Sequence, residues 1–171
     1  QSAGCRQLRY LLLTHYDYDH VSGVQGLLER VGAETLLCPP DGGDTDAQAA
    51  ILAAAEAHGT EVRFITEETT LSLGEATLTV YPPLGDDSSN ERGLVYLVSA
   101  GDYDLLITGD IDTEMERRLI ERYDLPDIEA LVVGHHGSKY STSAELLDAL
   151  RPETAFISVG SNSYGHPNEQ V

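Results

Sequence analysis

The chain has 171 residues, 41% of them apolar, and 29 acidic against 10 basic side chains, for a formal net charge of −19. Such a length and apolar content suit one globular domain with a real core, and no window approaches the ~20 apolar residues of a membrane span. The acidic excess excludes a non-specific nucleic-acid coat, which neutralises phosphates with lysine and arginine, whereas bound divalent cations would offset some of it where carboxylates converge.

The first predicted strand is Leu8–Leu13, and directly behind it stands Thr14-His15-Tyr16-Asp17-Tyr18-Asp19-His20. Two imidazoles and two carboxylates within six residues are ligand types for Zn²⁺ or Mn²⁺, and a strand end can hold them at a pocket. If this segment is extended, His15, Asp17 and Asp19 point to one side, and His20 joins them through a local turn. The plainer reading is a polar turn in which Asp19 or Ser22 caps the next helix. Four ligand types in six residues exceed what a cap requires. That helix is expected over Gly23–Val31, followed by a strand at Thr35–Cys38, a helix over Asp46–His58 and a strand at Val62–Ile65. His58, followed by Gly59, reads as a cation at a helix end with a glycine cap and is assigned no function. Cys5 and Cys38 have neither the number for a disulfide framework nor metal-ligand spacing, so buried or idle thiols are expected. No charged segment followed by an apolar stretch marks a signal peptide.

Strands at Thr70–Leu73, Ala76–Tyr81 and Leu94–Val98 read as an antiparallel meander, with a polar loop at Gly85–Gly93 expected to be exposed and mobile. The next strand, Asp104–Thr108, ends in Gly109-Asp110. A carboxylate placed there can bridge two metal ions, or Asp110 or Asp112 can simply cap the helix over Thr113–Tyr123. In that helix Ile111, Met115, Leu119 and Tyr123 form a buried stripe. Thr113-Glu114-Met115-Glu116 and Thr142-Ser143-Ala144-Glu145 both match a capping box. After the strand Ala130–Val133 comes Gly134-His135-His136-Gly137-Ser138-Lys139-Tyr140-Ser141, where adjacent histidines between glycines have few structural reasons to occur. Lys139, the one lysine of the chain, stands beside them as a candidate phosphate contact, or as a solvated loop side chain. The last helix, Ser143–Leu150, and strand, Ala155–Val159, lead to a fourth strand-glycine-histidine arrangement at Gly160 to His166, where Pro167 stiffens the backbone. Alternating strands and helices point to a layered α/β fold.

The segments THYDYDH, LLITGD, VGHHGSKYSTS, RPETAFISVG and NSYGHP, taken together and in this order, resemble the metallo-β-lactamase superfamily. More closely, they are similar to the C-terminal hydrolase-like domain of ComEC-type DNA-internalisation competence proteins. The resemblance implies an α/β fold, an αββα sandwich with a metal site at the edge between its sheets, and one or two divalent ions, Mn²⁺ or Zn²⁺. It implies His15, Asp17, Asp19, His20, Asp110 and His166 around the metals, with His135 and His136 as ligands or just behind them. It further implies hydrolysis of a phosphodiester in DNA, the strand not imported, and a parent whose membrane channel tethers this domain, on the extracytoplasmic side. Two departures stand out. Asp17 replaces the second histidine of the superfamily's His-x-His-x-Asp-His, and Asn90 stands in the region where many members place another histidine. More carboxylate and less imidazole shifts the preference towards harder ions such as Mn²⁺. Neither an Asp-Val-Gly-Gln-Gly-Asp segment nor an Asp-Gly-Gly turn precedes Leu8, so the domain is expected to be N-terminally truncated.

In a nuclease, Asp17 or Asp19 would orient or deprotonate the attacking water, and His136 and Lys139 would contact phosphate. Tyr16, Tyr18, Tyr140 and Tyr164 lie in the motif loops, either to stack on the bases of single-stranded DNA or to form a half-buried rim. The competing readings keep the metal site for another substrate, such as a phosphocholine or teichoic-acid diester or a lactone, or make the chain a binding module without catalysis. No stable protein partner is indicated.

Overall fold

A computed structural model describes residues 7–41 and 45–171, and Cys5 therefore lies outside the described residues. The chain begins with β1 (Leu8–Leu12), α1 (Tyr18–Val21), α2 (Val24–Arg30), β2 (Ala33–Cys38), α3 (Thr45–Ala57) and β3 (Glu61–Phe64). These strands pair in the order β1-β2-β3, all parallel, because each connection is a helical crossover. The remainder forms a six-stranded sheet. Its strands are β4 (Thr69–Leu73), β5 (Ala76–Tyr81), β6 (Val95–Ala100), β7 (Tyr103–Ile107), β8 (Ala130–Val132) and β9 (Thr154–Phe156), paired in chain order. β4 to β6 are the expected antiparallel meander, which β7 extends by one more antiparallel strand, while β8 and β9 are parallel to β7 because α4 (Thr113–Arg122) and α5 (Ala144–Leu150) intervene.

Three apolar clusters define the layers. Leu36, Val24, Leu28, Ile51 and Ala55 fill the space between the first sheet and α2 and α3. Leu97, Leu106, Leu131, Met115, Leu119, Leu146 and Leu150 fill that between the second sheet and α4 and α5. Leu37, Ile65, Leu78, Val80 and Tyr96 lie between the two sheets. Neighbouring residues of one strand, Leu36 and Leu37 or Tyr96 and Leu97, serve different clusters, as the two-residue period of a strand buried on both faces requires. The result is an αββα sandwich. The sheets are also joined by polar bonds: Tyr96 Oη donates to the Leu13 carbonyl at 2.6 Å, and the Leu94 amide to that of Thr14 at 2.7 Å.

Several local expectations need correction. α1 begins at Tyr18, so only His15 to Asp17 continue the strand direction, and Asp19 and His20 sit on a helical turn. Neither Asp19 nor Ser22 is an N-cap; Asp17 and Gly23 hold those positions without a side-chain bond, and Ser22 instead closes the C-terminus of α1. The capping boxes are also out by one residue. Asp112 Oδ1 accepts from Glu114 and Met115 amides, and Ser143 Oγ from Leu146. Capping α4 at Asp112 turns Met115 and Leu119 into the core, and with them the fully buried Glu116, whose carboxylate accepts the Thr142 and Ser143 amides instead. In the 85–93 loop only Asp86, Asp87 and Ser88 are exposed; Ser89 and Asn90 are half-buried. β9 is shorter than expected and exposed along its length.

Candidate metal centre

The site lies where the ends of β1, β7 and β8 meet, at the edge between the sheets. Beyond β1, Thr14 Oγ1 lies 3.0 Å from His15 Nδ1 and 3.3 Å from His20 Nδ1, so one hydroxyl orients two imidazoles and leaves both Nε2 atoms facing inward. This close approach depends on Gly109. It has φ +61°, and a Cβ there would lie 2.9 Å from the Thr14 Cβ. Glycine before Asp110 is therefore a steric requirement of the site. Asp112 takes the capping role in α4, and Asp110 is left to face the histidines.

Asp110 is 6% exposed and sits at the centre of the cluster. Its Oδ1 lies 3.3 Å from His20 Nε2, and its Oδ2 lies 3.9 Å from His15 Nε2 and 3.7 Å from Nε2 of both His135 and His136. Burial raises its pKa, but the hydrogen bond from His20 and the fields of His20, His15 and His135 outweigh this and hold the carboxyl below its ordinary range. For His20 burial again acts first, against the charged form, and Asp110, Asp19 and Asp17 overcome it, so its pKa is raised. His15 is more deeply buried and next to His20. Burial followed by that neighbour's charge depresses its pKa.

The adjacent histidines reach the site through a rare backbone. His135 and His136, with φ of 48° and 56°, lie in the left-handed region within a 3-10 turn, Gly134–Gly137. Non-glycine residues enter that region at a cost of about 1–2 kcal/mol each. The turn is anchored by bonds from the His135 amide to Gly109 O at 3.0 Å and from the Gly134 amide to Thr142 Oγ1 at 2.9 Å. His136 Nδ1 lies 2.7 Å from the Ser158 carbonyl, which can only accept, so Nδ1 carries the proton of the neutral ring. Its Nε2 is then a lone pair facing Asp19 Oδ2 at 3.1 Å and His20 Nε2 at 3.3 Å. Acceptors gathered this closely need a cation between them, either a proton or a metal ion.

A metal ion fits this donor set. His15, His20 and Asp110 form one group, and Asp19, His20 and His136 another, with the ligand atoms of each within 4.8 Å of one another. The groups share His20. His15 Nε2 and His166 Nδ1 are buried polar atoms without a hydrogen-bond partner, as open ligand positions would be. Asp17, His135 and His166 fall outside both groups but close by: Asp17 Oδ2 is 3.7 Å from His15 Nε2, and the rings of His135 and His166 are 5.7 Å apart. Asp17, Asp19, Asp110, His135, His136 and His166 all line an open cavity of about 460 Å³, together with Tyr18 and Tyr164. Lys139 is not among its lining residues; its Nζ stands 4.9 Å over the Tyr140 ring. Tyr16 is no rim residue either, being fully buried with its hydroxyl donating to Pro39 O. Two contributors have no sequence signal. Ser89 Oγ donates to Asp17 Oδ1 at 2.6 Å from the acidic loop, next to Asn90, and Ser158 acts through its backbone.

Residues 3–161 match the metallo-beta-lactamase superfamily. The chain belongs to the metallo-β-lactamase superfamily. Similar proteins include ComE operon protein 3 of Bacillus subtilis, 32% identical over 98% of this chain and 22% of its own length. Competence protein ComA of Neisseria gonorrhoeae is 35% identical over 99% of the chain and 23% of its own length. With recombination protein 2 of Haemophilus influenzae, 30% identical over 96% and 19%, these are ComEC-type competence proteins, as the five segments led one to expect. The metallo-β-lactamase-like chain thus spans about a fifth of the length of these relatives. Among solved structures, the diiron β-hydroxylase CmlA of Streptomyces venezuelae aligns with a TM-score of 0.59 at 18% identity, over 88% of this chain and 35% of that one. A metallo hydrolase of Ignicoccus hospitalis aligns with a TM-score of 0.53 at 16% identity, over 85% and 61%. Likeness at this identity extends to the metallo-β-lactamase fold alone.

Proposed function

We propose that this chain is a metal-dependent phosphodiesterase that cleaves DNA, with single-stranded DNA as the substrate form. The observation that carries the reading is the convergence of four imidazoles on the buried Asp110 carboxylate at an open cavity. Similarity to competence proteins supports DNA as the substrate, and the membrane channel of a longer parent as the partner. The domain would lie on the extracytoplasmic side of that channel. Among the described residues no helix is long and apolar enough to cross a membrane.

His15, His20 and Asp110 would hold one divalent ion, and Asp19 and His136, through the shared His20, would help to hold a second. Mn²⁺ suits the carboxylate content, and Zn²⁺ is the alternative. Such ions supply Lewis acidity, which activates water and draws off charge developing on phosphoryl oxygens. Thr14 and the Ser158 carbonyl fix the ring orientations on which the ligand set depends. Asp17, half-exposed and fixed by Ser89, and Asp19, largely exposed, are placed to accept a proton from water or to orient it. His135 and His166, which line the same cavity, would complete the ligand set or meet the phosphate.

The test is Mn²⁺-dependent hydrolysis by the chain of single-stranded DNA, bis-p-nitrophenyl phosphate and a lactone, alongside the Asp110→Asn variant and metal analysis of both proteins. Cleavage of both phosphodiesters, lost together with bound metal in the variant at unchanged circular dichroism, is the expected result. Turnover of the lactone alone would replace this reading with that of a lactonase. One observation favours such a second reading: no lysine or arginine is among the described residues lining the cavity.

A further inference from the structure

We infer that Tyr18 and Tyr164 form a base-stacking subsite beside the metal-ligand cluster, which selects a nucleotide by its nucleobase; the inference rests on the phosphodiesterase reading above. Each of these side chains is 83% exposed, the largest exposure of any large apolar residue among the described residues. By contrast Tyr16 and Tyr96 are buried and bonded, to Pro39 O and Leu13 O, and Tyr140, exposed under Lys139, does not line the cavity. Both exposed rings line the same cavity of about 460 Å³ as Asp19 and His136. A second cavity of about 440 Å³ continues from it, sharing Asp19, His136, Tyr164 and His166 and extending along residues 158–162. Each volume is of the size that takes a small ligand.

The Tyr164 ring is displayed by a loop built to hold it. Asn162 Oδ1 accepts the amides of Tyr164, Gly165 and His166 at 3.0–3.1 Å, and its Nδ2 donates to the carbonyls of Gly160 and His166 at 2.9 and 2.8 Å. The Tyr164 ring lies 6.1 Å from that of His166 at 24°, a stacked arrangement with its outer face free. Tyr18 stands between Asp17 and Asp19 as the first residue of α1. An aromatic ring held in place loses little freedom on binding, which is why stacking platforms suit single strands, whose bases are free to be sandwiched.

Charge favours the same ligand. With Asp17, Asp19 and Asp110 lining the cavity and neither lysine nor arginine among its described lining residues, phosphates beyond reach of a metal ion meet no cationic partner. Recognition of a strand must then come from its bases. Binding that neutralises few phosphates also depends weakly on salt.

The experiment compares anisotropy titrations of a fluorescent oligothymidine and an abasic oligomer of equal length. It uses the Mn²⁺-loaded chain and its Tyr18→Ala, Tyr164→Ala and Tyr164→Phe variants. The expected result is tighter binding of oligothymidine than of the abasic strand. Each alanine variant should weaken the thymidine complex by about 5- to 100-fold, while phenylalanine at 164 restores it, and the salt dependence should be shallow in every case. Equal losses for both oligomers, no loss, or no binding of oligothymidine by the unaltered chain would each overturn the subsite. So would variants that lose affinity for phosphocholine but not for oligothymidine, since two tyrosines beside carboxylates would then be an ammonium cage. The two readings fail separately. Tyrosine-dependent binding without hydrolysis overturns the phosphodiesterase, and hydrolysis without tyrosine dependence overturns the subsite.

Discussion

Thr14 and Gly109 show how little separates a working cluster from a collapsed one. The Thr14 hydroxyl touches two imidazoles, and the space it occupies exists because residue 109 has no Cβ. Gly109→Ala puts a methyl group against the Thr14 side chain on a backbone at φ +61°, and should cost about 1–3 kcal/mol of stability. Because the clash displaces the residue that orients His15 and His20, metal affinity should fall as well, which isothermal titration with Mn²⁺ would register. Unchanged affinity in a destabilised variant would show that Thr14 is not what orients these rings. At this scale the sequence is legible where side chains of ligand type are close together, as in His15 to His20. It is silent on Ser89 and Ser158. The first comes from a loop some seventy residues away in a segment of ordinary loop composition, and the second contributes only its carbonyl, which every residue type has.

Among the elements, α4 and the start of α5 are coupled through Glu116. Its carboxylate accepts the Thr142 and Ser143 amides, and Thr142 in turn bonds the Gly134 amide at the beginning of the histidine turn. Glu116→Ala leaves two amides without their acceptor and should destabilise the chain by about 1–3 kcal/mol, measured by urea unfolding. Burial raises the Glu116 pKa; the Ser143 and Thr142 amides oppose this without prevailing, and Asp112 adds to the rise. A carboxyl with a raised folded pKa binds its proton more tightly folded than unfolded. Its stabilising contribution is full below its ordinary value of 4.5 and is lost as pH rises through the raised one. The stability difference between the unaltered chain and Glu116→Gln should therefore shrink from acid towards neutral pH, and parallel curves would refute a raised value. The capping-box pattern assigns this glutamate to the wrong helix. A local pattern contains no information on which way a side chain turns once the apolar stripe has docked, and Ile111, Met115 and Leu119 fix the rotation of α4.

For the whole molecule, the candidate ligands come from both sheets: His15, Asp19 and His20 follow β1, whereas Asp110 and His136 follow β7 and β8. An ion held by both groups ties the layers together, and it binds only the folded chain. Mn²⁺ at a hundredfold excess over its Kd should add about 2.7 kcal/mol of stability, seen as a rise in Tm that Asp110→Asn abolishes. A Tm indifferent to Mn²⁺ and Zn²⁺ would mean that the cluster holds neither. The layers themselves can be read in advance because central strands such as β2, β6 and β8 are largely buried, so they appear as apolar runs flanked by glycine and helical patterns. The short α1 leaves no such trace because four residues are barely more than one turn, too few for a 3.6-residue period to show.

His15 and Tyr16 are neighbours, and both are buried, yet one faces the carboxylate of Asp110 and the other packs into the core beneath α2 and α3. The four residues from Leu13 to Tyr16 therefore act as a spacer whose length, more than its composition, is under constraint. Deleting or inserting one residue there would exchange inside for outside, sending a phenol to the cluster and an imidazole into the core. Substitutions at Tyr18 should be tolerated by the fold, whereas a change of length three residues earlier should not.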